Sequence, residues 1–207
     1  LIVAEGVTGI ADYAFAGKAG ITEVFLQQTL RVIGEGAFRE CSALQAVTLP
    51  DGIAEIAPYA FYKCGALAQV NLPQSVTEIG RSAFYETAAL AEMVLPENLR
   101  VIGDFAFYSS GLRTLNCPSS LHSIGECAFY RNEALESVAL NEGLRDIGDY
   151  AFYRAKSLKN IAIPDSVQTI GMRAFYSAAA LEQVVIGNGV LSIGDYAFYR
   201  CAAVTSI

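Results

Sequence analysis

Several things that an active site or a membrane span would need are scarce or absent in this sequence. The 207 residues include one histidine, His122, so any metal or catalytic scheme that needs two histidines is excluded. No apolar run approaches the roughly 18 residues that a membrane-spanning helix requires. Positive charge is in deficit, with 14 Lys and Arg against 21 Asp and Glu. We therefore expect no nucleic-acid partner and no insertion of this segment into a membrane.

The common catalytic motifs are missing as well. The sequence has no G-x-S-x-G, H-E-x-x-H, P-loop or dinucleotide-binding fingerprint. Acidic residues recur evenly, so no two stand apart as the carboxylate pair of a hydrolase; they are Asp12, Glu35, Asp104, Glu126, Asp149 and Asp195. We expect no catalytic residue, no metal site and no cofactor.

Cysteine is also used sparingly, and without a framework for disulfides or metal. The five residues are Cys41, Cys64, Cys117, Cys127 and Cys201, an odd number with no Cys-x-x-Cys pair. Cys41 and Cys64 fall in neighbouring copies of the repeat described below, but parallel side chains would keep their Cβ atoms too far apart for a disulfide. The sequence therefore predicts free thiols that pack as small apolar groups.

A repeat of 23 residues dominates the chain. An Ala-Phe pair follows an isoleucine at a fixed distance in nine copies, with one step of 22 residues, caused by a deletion between Phe107 and Leu112. The phenylalanines are Phe15, Phe38, Phe61, Phe84, Phe107, Phe129, Phe152, Phe175 and Phe198. The isoleucines are Ile10, Ile33, Ile56, Ile79, Ile102, Ile124, Ile147, Ile170 and Ile193. This regularity predicts stacked copies of one structural unit.

Each unit reads L-x-x-V-x-L-P-x-x-L-x-x-I-G-x-x-A-F-x-x-C. The V-x-L part alternates with period two and predicts a short strand, after which Pro and small polar residues predict a turn. The L-x-x-I part predicts a second short strand, and the glycine after it a sharp bend. The A-F segment predicts one helical or 3₁₀ turn, with the recurring acidic residues capping its free N–H groups. The inward apolar positions of one unit cannot form a core alone, so the pattern predicts a single α/β solenoid domain over residues 1–207.

These motifs resemble the BspA-like class of the leucine-rich repeat family, which is typical of bacterial surface proteins and some protozoan ones. The resemblance covers essentially the whole chain and implies a right-handed leucine-rich repeat superhelix of nine repeats with a parallel sheet on its concave side. It also implies a cell-surface or secreted protein with a role in adhesion or partner binding. The buried Asn that usually follows the strand in this family is replaced by Thr, Gly or Ser in all units except that of Asn98.

The outward positions beside the inner residue of each V-x-L strand predict the binding face. One column contains Glu23, Gln69, Glu92, Thr114, Ser137, Asn160 and Gln183, and the neighbouring column contains Phe25, Thr48, Asn71, Val94, Asn116 and Val185. Our candidate binding residues are Glu23, Phe25, Thr48, Gln69, Asn71, Glu92, Thr114, Asn116, Ser137, Asn160 and Gln183. A face of this composition suits hydrogen bonding to a peptide or a glycan and shows no aromatic cluster.

A tyrosine column directly after the repeated phenylalanine is a second candidate surface. It consists of Tyr62, Tyr85, Tyr108, Tyr130, Tyr153, Tyr176 and Tyr199. Tyrosine combines a stacking face with a polar tip, so the column could bind protein or carbohydrate. We favour the alternative that it is a structural ladder, because it repeats as regularly as the core.

Three functions stay open at this point. The first is a non-enzymatic module, displayed on the cell surface, that binds a protein such as a host extracellular protein. The second is a structural spacer, and the third is a carbohydrate-binding module that uses the tyrosine column. We expect the chain to be a fragment whose terminal caps and signal peptide lie in flanking sequence. Apolar strand positions at both ends, including Leu1 and Ile207, also suggest end-to-end self-association.

Overall fold

The computed structural model describes residues 1–205, which form sixteen short strands joined by tight turns. Ile207, which the pattern assigns to a last strand, lies outside the described residues. In chain order the strands are β1 (Gly9–Ile10), β2 (Glu23–Val24), β3 (Val32–Ile33), β4 (Ala46–Thr48), β5 (Glu55–Ile56), β6 (Gln69–Asn71), β7 (Glu78–Ile79), β8 (Val101–Ile102), β9 (Thr114–Asn116), β10 (Ser123–Ile124), β11 (Ser137–Ala139), β12 (Asp146–Ile147), β13 (Asn160–Ile163), β14 (Thr169–Ile170), β15 (Gln183–Ile186) and β16 (Ser192–Ile193).

The chain is a parallel β-solenoid of about eight turns. We call each turn a rung. Two sets of strands alternate along the chain, except that β7 and β8 follow one another within one set. The V-x-L strands are β2, β4, β6, β9, β11, β13 and β15, and the isoleucine strands are β1, β3, β5, β7, β8, β10, β12, β14 and β16. Nine isoleucine positions are separated by eight steps, so the predicted count of nine repeats is not confirmed as nine complete turns.

The V-x-L strands place an apolar side chain inward between two outward ones. In β4, Val47 is buried, whereas Ala46 is half-buried and Thr48 is exposed. β4 pairs in parallel with β6, with Val47 opposite Val70, a separation of one repeat. The predicted single sheet is nevertheless divided into three, β2-β4-β6, β9-β11 and β13-β15.

One division lies at residues 91–95, which form no strand. Met93 there occupies the position that Val47 and Val70 hold in the paired strands. The segment also precedes the only repeat of 22 residues, in which the shorter connection changes where β9 begins.

The isoleucine strands form the longest ladder. Seven of them, from β5 to β16, make one parallel sheet, and β1 pairs with β3 in a second. The prediction that L-x-x-I forms a second strand is thus confirmed. A glycine after the isoleucine also avoids a steric clash at Gly148, where a Cβ would lie 2.6 Å from the carbonyl carbon of Gly125 in the preceding rung. Alanine occupies the same position in two other rungs, at Ala11 and Ala57.

The predicted helical or 3₁₀ turns are wrong, since no helix occurs in residues 1–205. Around Phe152, Tyr150 and Arg154 have φ angles of 57° and 60°, in the left-handed region. The Phe152 N–H donates to the Ala174 carbonyl of the next rung at 2.7 Å, whereas the Tyr153 N–H donates back to Tyr150 at 3.1 Å. Alternate amides therefore join rungs instead of closing a helix. No helix among the described residues is long and apolar enough to span a membrane.

Three of the recurring acidic residues, Asp12, Asp104 and Asp149, accept backbone N–H groups, but these belong to the next rung and not to a helical turn as predicted. The Asp149 carboxylate accepts from the Met172 N–H at 2.6 Å, and the Asp104 carboxylate accepts from the Glu126 N–H at 2.9 Å. Each bond joins equivalent positions of two rungs. The carboxylates therefore reinforce the stacking of rungs.

The repeated phenylalanines form a continuous stack through the core. Neighbouring ring centroids are 5.1 to 5.7 Å apart from Phe15 to Phe198. The seven inner rings are fully buried, and the first and last are half-buried. Buried Leu, Val, Ile and Ala side chains join these rings in one apolar core that runs from Val3 to Ala197.

Small polar side chains carry further bonds between rungs. The Ser75, Ser120 and Ser166 hydroxyls occupy the position of the family's buried Asn and donate to carbonyls of the preceding rung at 2.6 to 2.8 Å. All five cysteines are free, as predicted. The Cys64 thiol donates to the Phe38 carbonyl at 3.1 Å, so the cysteines after the phenylalanine also join rungs.

Candidate binding face

We define the V-x-L face as the outward side chains of the V-x-L strands, of Phe25 and of residues 91–95. Alternation of side chains along a strand directs these residues away from the core. All eleven predicted binding residues lie on this face and are exposed. The strand register places Gln69 beside Ala46, Thr48 beside Asn71, Thr114 beside Ser137, and Asn160 beside Gln183. The divided sheet therefore gathers them in separate clusters instead of one uniform row.

Two depressions on this face join into what we call the N-terminal groove. One has a volume of about 360 Å³ and is lined mainly by residues 23–28 and 46–48. The other has a volume of about 500 Å³ and is lined by residues 46–48, 68–72 and 91–94, with Ala89. Ala46, Val47 and Thr48 line both. A separate C-terminal groove of about 430 Å³ lies over β11, β13 and β15.

Exposed apolar side chains mark these grooves. Phe25 is 55% exposed and Val94 is 82% exposed, and they lie at opposite ends of the N-terminal groove. Val185, which is 62% exposed, lies in the C-terminal groove. The predicted binding set leaves out Val94 and Val185. Both valines lie in the outward column of the sequence pattern. Because valine is also an inner residue of these strands, the residue type alone does not show that these two side chains are exposed.

The charge of the N-terminal groove is acidic. Glu23 and Glu92 both line it and are both exposed, and none of its lining residues is Lys or Arg. The C-terminal groove instead contains both Glu136 and Lys159. The two grooves therefore differ in the ligands that they can attract.

Backbone groups at the wider end of the N-terminal groove lack their ladder partners. The Leu49 N–H donates to the Asn71 carbonyl at 3.3 Å, but within residues 1–205 the equivalent Leu72 N–H and Val94 carbonyl make no such bond. Val70 and Met93 are half-buried on the two sides of this interruption, where Val47 is buried. The ladder of backbone hydrogen bonds is therefore interrupted at this site.

The tyrosine column is a ladder of stacked rings. Neighbouring centroids from Tyr62 to Tyr199 are 4.5 to 5.4 Å apart. The rings from Tyr62 to Tyr176 are half-buried, and Tyr199 is 51% exposed. Burial raises the pKa of Tyr85 to about 12. The ring faces pack against one another, and the Arg39 guanidinium lies 4.8 Å from the Tyr62 centroid, so the faces that would stack on a sugar are largely occupied.

The remaining titratable groups do not converge on a reactive site. Burial raises the pKa of Cys64, Cys117 and Cys127 to about 12, so these thiols stay protonated at neutral pH. His122 is exposed, with its Nδ1 3.4 Å from the Gly143 carbonyl. Across the described part of the chain no three His, Cys, Asp or Glu side chains are placed to hold a metal ion.

Comparison with known proteins places these features in a family context. The model of the BspA type leucine rich repeat region matches residues 8–136 and 123–207, with six copies. No curated protein matches the chain significantly.

Similar solved structures come from bacteria. A leucine rich repeat protein of T. pallidum is 28% identical with a TM-score of 0.69, and the match covers 76% of this chain and 77% of that one. A leucine rich cell surface protein of Faecalibacterium prausnitzii is 24% identical with a TM-score of 0.53, covering 97% and 76%. A leucine-rich repeat protein of Eubacterium ventriosum is 21% identical with a TM-score of 0.58, covering 100% and 65%. The last two matches support the fold alone.

Proposed function

Because the chain belongs to the BspA-type leucine-rich repeat family, we propose that it is a non-enzymatic module that binds a protein partner through the V-x-L face. The observation that carries this proposal is the coincidence of the grooves with exposed apolar side chains. Exposed apolar side chains within concave surfaces are typical of interaction sites. Leucine-rich repeat proteins commonly mediate protein interactions, which agrees with this assignment.

The mechanism follows from the stacking of rungs. Within each of the three V-x-L sheets, the outward side chains are attached to a backbone that is hydrogen-bonded to a neighbouring rung, and the core behind them is filled by stacked phenylalanine rings. Such a surface loses little conformational entropy when a partner binds. Affinity then depends on how well the partner fits the grooves.

We place the protein at the cell surface or in the secreted fraction, with adhesion to a host extracellular protein as its role. Proteins of the BspA-like leucine-rich repeat class are typical of bacterial surfaces, which supports this location. The acidic balance of the chain, at a net charge of −7, favours partners that carry positive charge.

Carbohydrate binding through the tyrosine column and a spacer role are the alternatives. Stacking of the tyrosine rings on one another does not favour the first, because a sugar would compete with that stacking. A spacer needs no binding face, so the grooves have no function in that alternative. Neither alternative explains why apolar side chains are exposed in the grooves.

A binding screen with face variants tests the proposal. The chain is immobilised and exposed to purified host extracellular proteins and to a glycan array. We expect a protein ligand whose affinity falls about tenfold or more in Asn71→Arg, within the N-terminal groove, or in Asn160→Arg, within the C-terminal groove, because a long charged side chain obstructs the groove that it lines. Gln168→Arg, an exposed position beside β14, is the matched control and should leave binding unchanged.

Two results would reject the module. One is binding to glycans alone, with loss in Tyr199→Ala, which would support the carbohydrate alternative. The other is no binding to any protein or glycan, which would support the spacer. Circular dichroism of each variant establishes that lost binding does not reflect lost folding.

A further inference from the structure

We propose that the N-terminal groove binds an extended peptide segment of a protein partner that carries positive charge and two apolar side chains four residues apart. This inference rests on the proposed function and adds to it the site and the class of ligand. Four features of the groove support it: its length, its two apolar ends, its polar centre and its charge.

The distance between the apolar ends of the groove sets the spacing of the two apolar side chains in the ligand. Phe25 and Val94 occupy the same register column three rungs apart, which corresponds to about 14 Å at the spacing of parallel strands. Side chains i and i+4 of an extended peptide point in the same direction and lie about 13 Å apart. On one face of a helix, residues i and i+7 are about 10.5 Å apart and i and i+11 about 16.5 Å apart. An extended segment that runs along the solenoid axis therefore matches the two ends better than a helix.

The centre of the groove offers hydrogen bonds to a peptide backbone. Thr48 and Asn71 lie between the apolar ends in the same column, and within the described residues their side chains make no hydrogen bond. Beside them, the Leu72 N–H and the Val94 carbonyl lack the ladder bond that Leu49 and Asn71 make in the preceding rung. An extended segment presents its own N–H and C=O groups in alternation, so it can satisfy donors and acceptors of this kind.

The negative charge of the groove favours a ligand with positive charge. Glu23 lies beside Phe25, and Glu92 lies two residues before Val94, so each apolar end has a carboxylate nearby. No cation lines the groove to neutralise them. Lys or Arg residues that flank the apolar side chains of the ligand would complement both ends.

Selection from a display library of random linear peptides on the intact chain tests this inference. We expect enriched peptides to share two apolar residues at i and i+4 with Lys or Arg close by. Their affinity should fall about tenfold or more in Phe25→Ser and in Val94→Ser, because each change removes one apolar contact. Val185→Ser is the matched control, since Val185 is an exposed valine of the same column outside this groove, and it should leave affinity within about twofold.

Charge provides an independent readout in the same experiment. Glu92→Gln removes one carboxylate with little change of shape and should weaken binding of the selected peptides, more at low salt than at high salt. Enriched peptides without the i and i+4 pattern, or binding that survives both Phe25→Ser and Val94→Ser, would overturn the inference. So would selection that enriches no peptide at all.

The failure of this inference is distinguishable from the failure of the proposed function. If the folded chain binds a protein in the screen above, and this binding is lost in Asn160→Arg but not in Val94→Ser, the proposed module is supported and the peptide groove is rejected. The absence of any protein ligand in that screen, together with the absence of enriched peptides, rejects both.

Discussion

The side-chain amide of Asn132 donates a 2.7 Å hydrogen bond to the carbonyl of Phe107, which lies in the preceding rung. The Ser110 hydroxyl donates in turn to the Asn132 side-chain oxygen at 2.5 Å, and all three residues are buried. Cys41 and Cys64 occupy the same repeat position and donate to Phe15 and Phe38. The third residue after the phenylalanine therefore provides a polar link to the previous rung at Cys41, Cys64, Asn132 and Cys201, whereas Ala155 and Ala178 have no side chain that can do so.

Removal of this link at Asn132 should destabilise the protein. Asn132→Leu, which keeps the volume but leaves the buried Ser110 hydroxyl without its acceptor, should lower the free energy of unfolding by about 1–3 kcal/mol. Asn132→Cys should cost less, because a thiol at this position can donate to the Phe107 carbonyl as Cys64 does to Phe38. Urea denaturation followed by circular dichroism measures both variants. Equal stability of Asn132→Leu and the wild type would show that the link is unimportant.

Truncation of a stacked phenylalanine to alanine should lower the stability by an amount that depends on its position in the stack. Phe107→Ala empties a fully buried site between two stacked rings and should cost about 3–5 kcal/mol. Phe198→Ala, at the half-buried end of the stack, should cost clearly less. Hydrogen exchange should show the loss of protection concentrated near residue 107, since each rung contacts only its neighbours. A similar cost at both positions would contradict a graded burial of the rings.

At turn positions with a left-handed backbone, a glycine should be tolerated and a β-branched residue should lower the stability. Ser177 has a φ angle of 57° and makes no side-chain hydrogen bond within residues 1–205. Ser177→Gly should keep or raise the stability by up to about 1 kcal/mol, whereas Ser177→Val should lower it by at least about 1 kcal/mol. Ala179, two residues further along and exposed, is the control position where Gly should not stabilise. Thermal unfolding of the four proteins ranks them, and greater stability of Ser177→Val than of Ser177→Gly would contradict the backbone assignment.

Stability should fall in alkaline solution because of the buried thiols. Cys64, Cys117 and Cys127 have a folded-state pKa of about 12 against an ordinary value of 9.0, so the folded protein holds these protons more tightly than the unfolded chain. Their contribution is complete below about pH 9 and is lost as the pH rises towards 12. Cys117→Val removes one such group from the core. Its unfolding midpoint should decline less between pH 9 and pH 11 than that of the wild type, and parallel declines would argue against a buried, protonated Cys117.

The core and both sets of strands could be predicted from the sequence because their residues recur at a constant spacing. Phe107 and Ile102 reveal their inward position by repetition alone, and so does the outward position of Asn71. The tight turns could not be predicted, since the left-handed positions carry residues such as Tyr150, Arg154 and Ser177 and not the glycine or asparagine typical of that conformation.

The division of the V-x-L sheet also could not be predicted from the sequence. Residues Met93 and Leu95 keep the V-x-L spacing, so the pattern predicts a strand there. Whether a strand forms depends on hydrogen bonds to the rungs on both sides, and these depend on backbone positions that no local pattern specifies. Part of the N-terminal groove lies at this division, so its location emerged only from the structure.

Nuclear Overhauser contacts between phenylalanine rings test the stacking of the rungs most directly. In protein with protonated Phe rings on a deuterated background, we predict cross-peaks from Phe107 to Phe84 and to Phe129, whose ring centroids are 5.3 and 5.2 Å away. No cross-peak should join Phe84 to Phe129 directly. Absence of contacts between rings one repeat apart, or contacts that skip rungs, would contradict the solenoid and the binding face built on it.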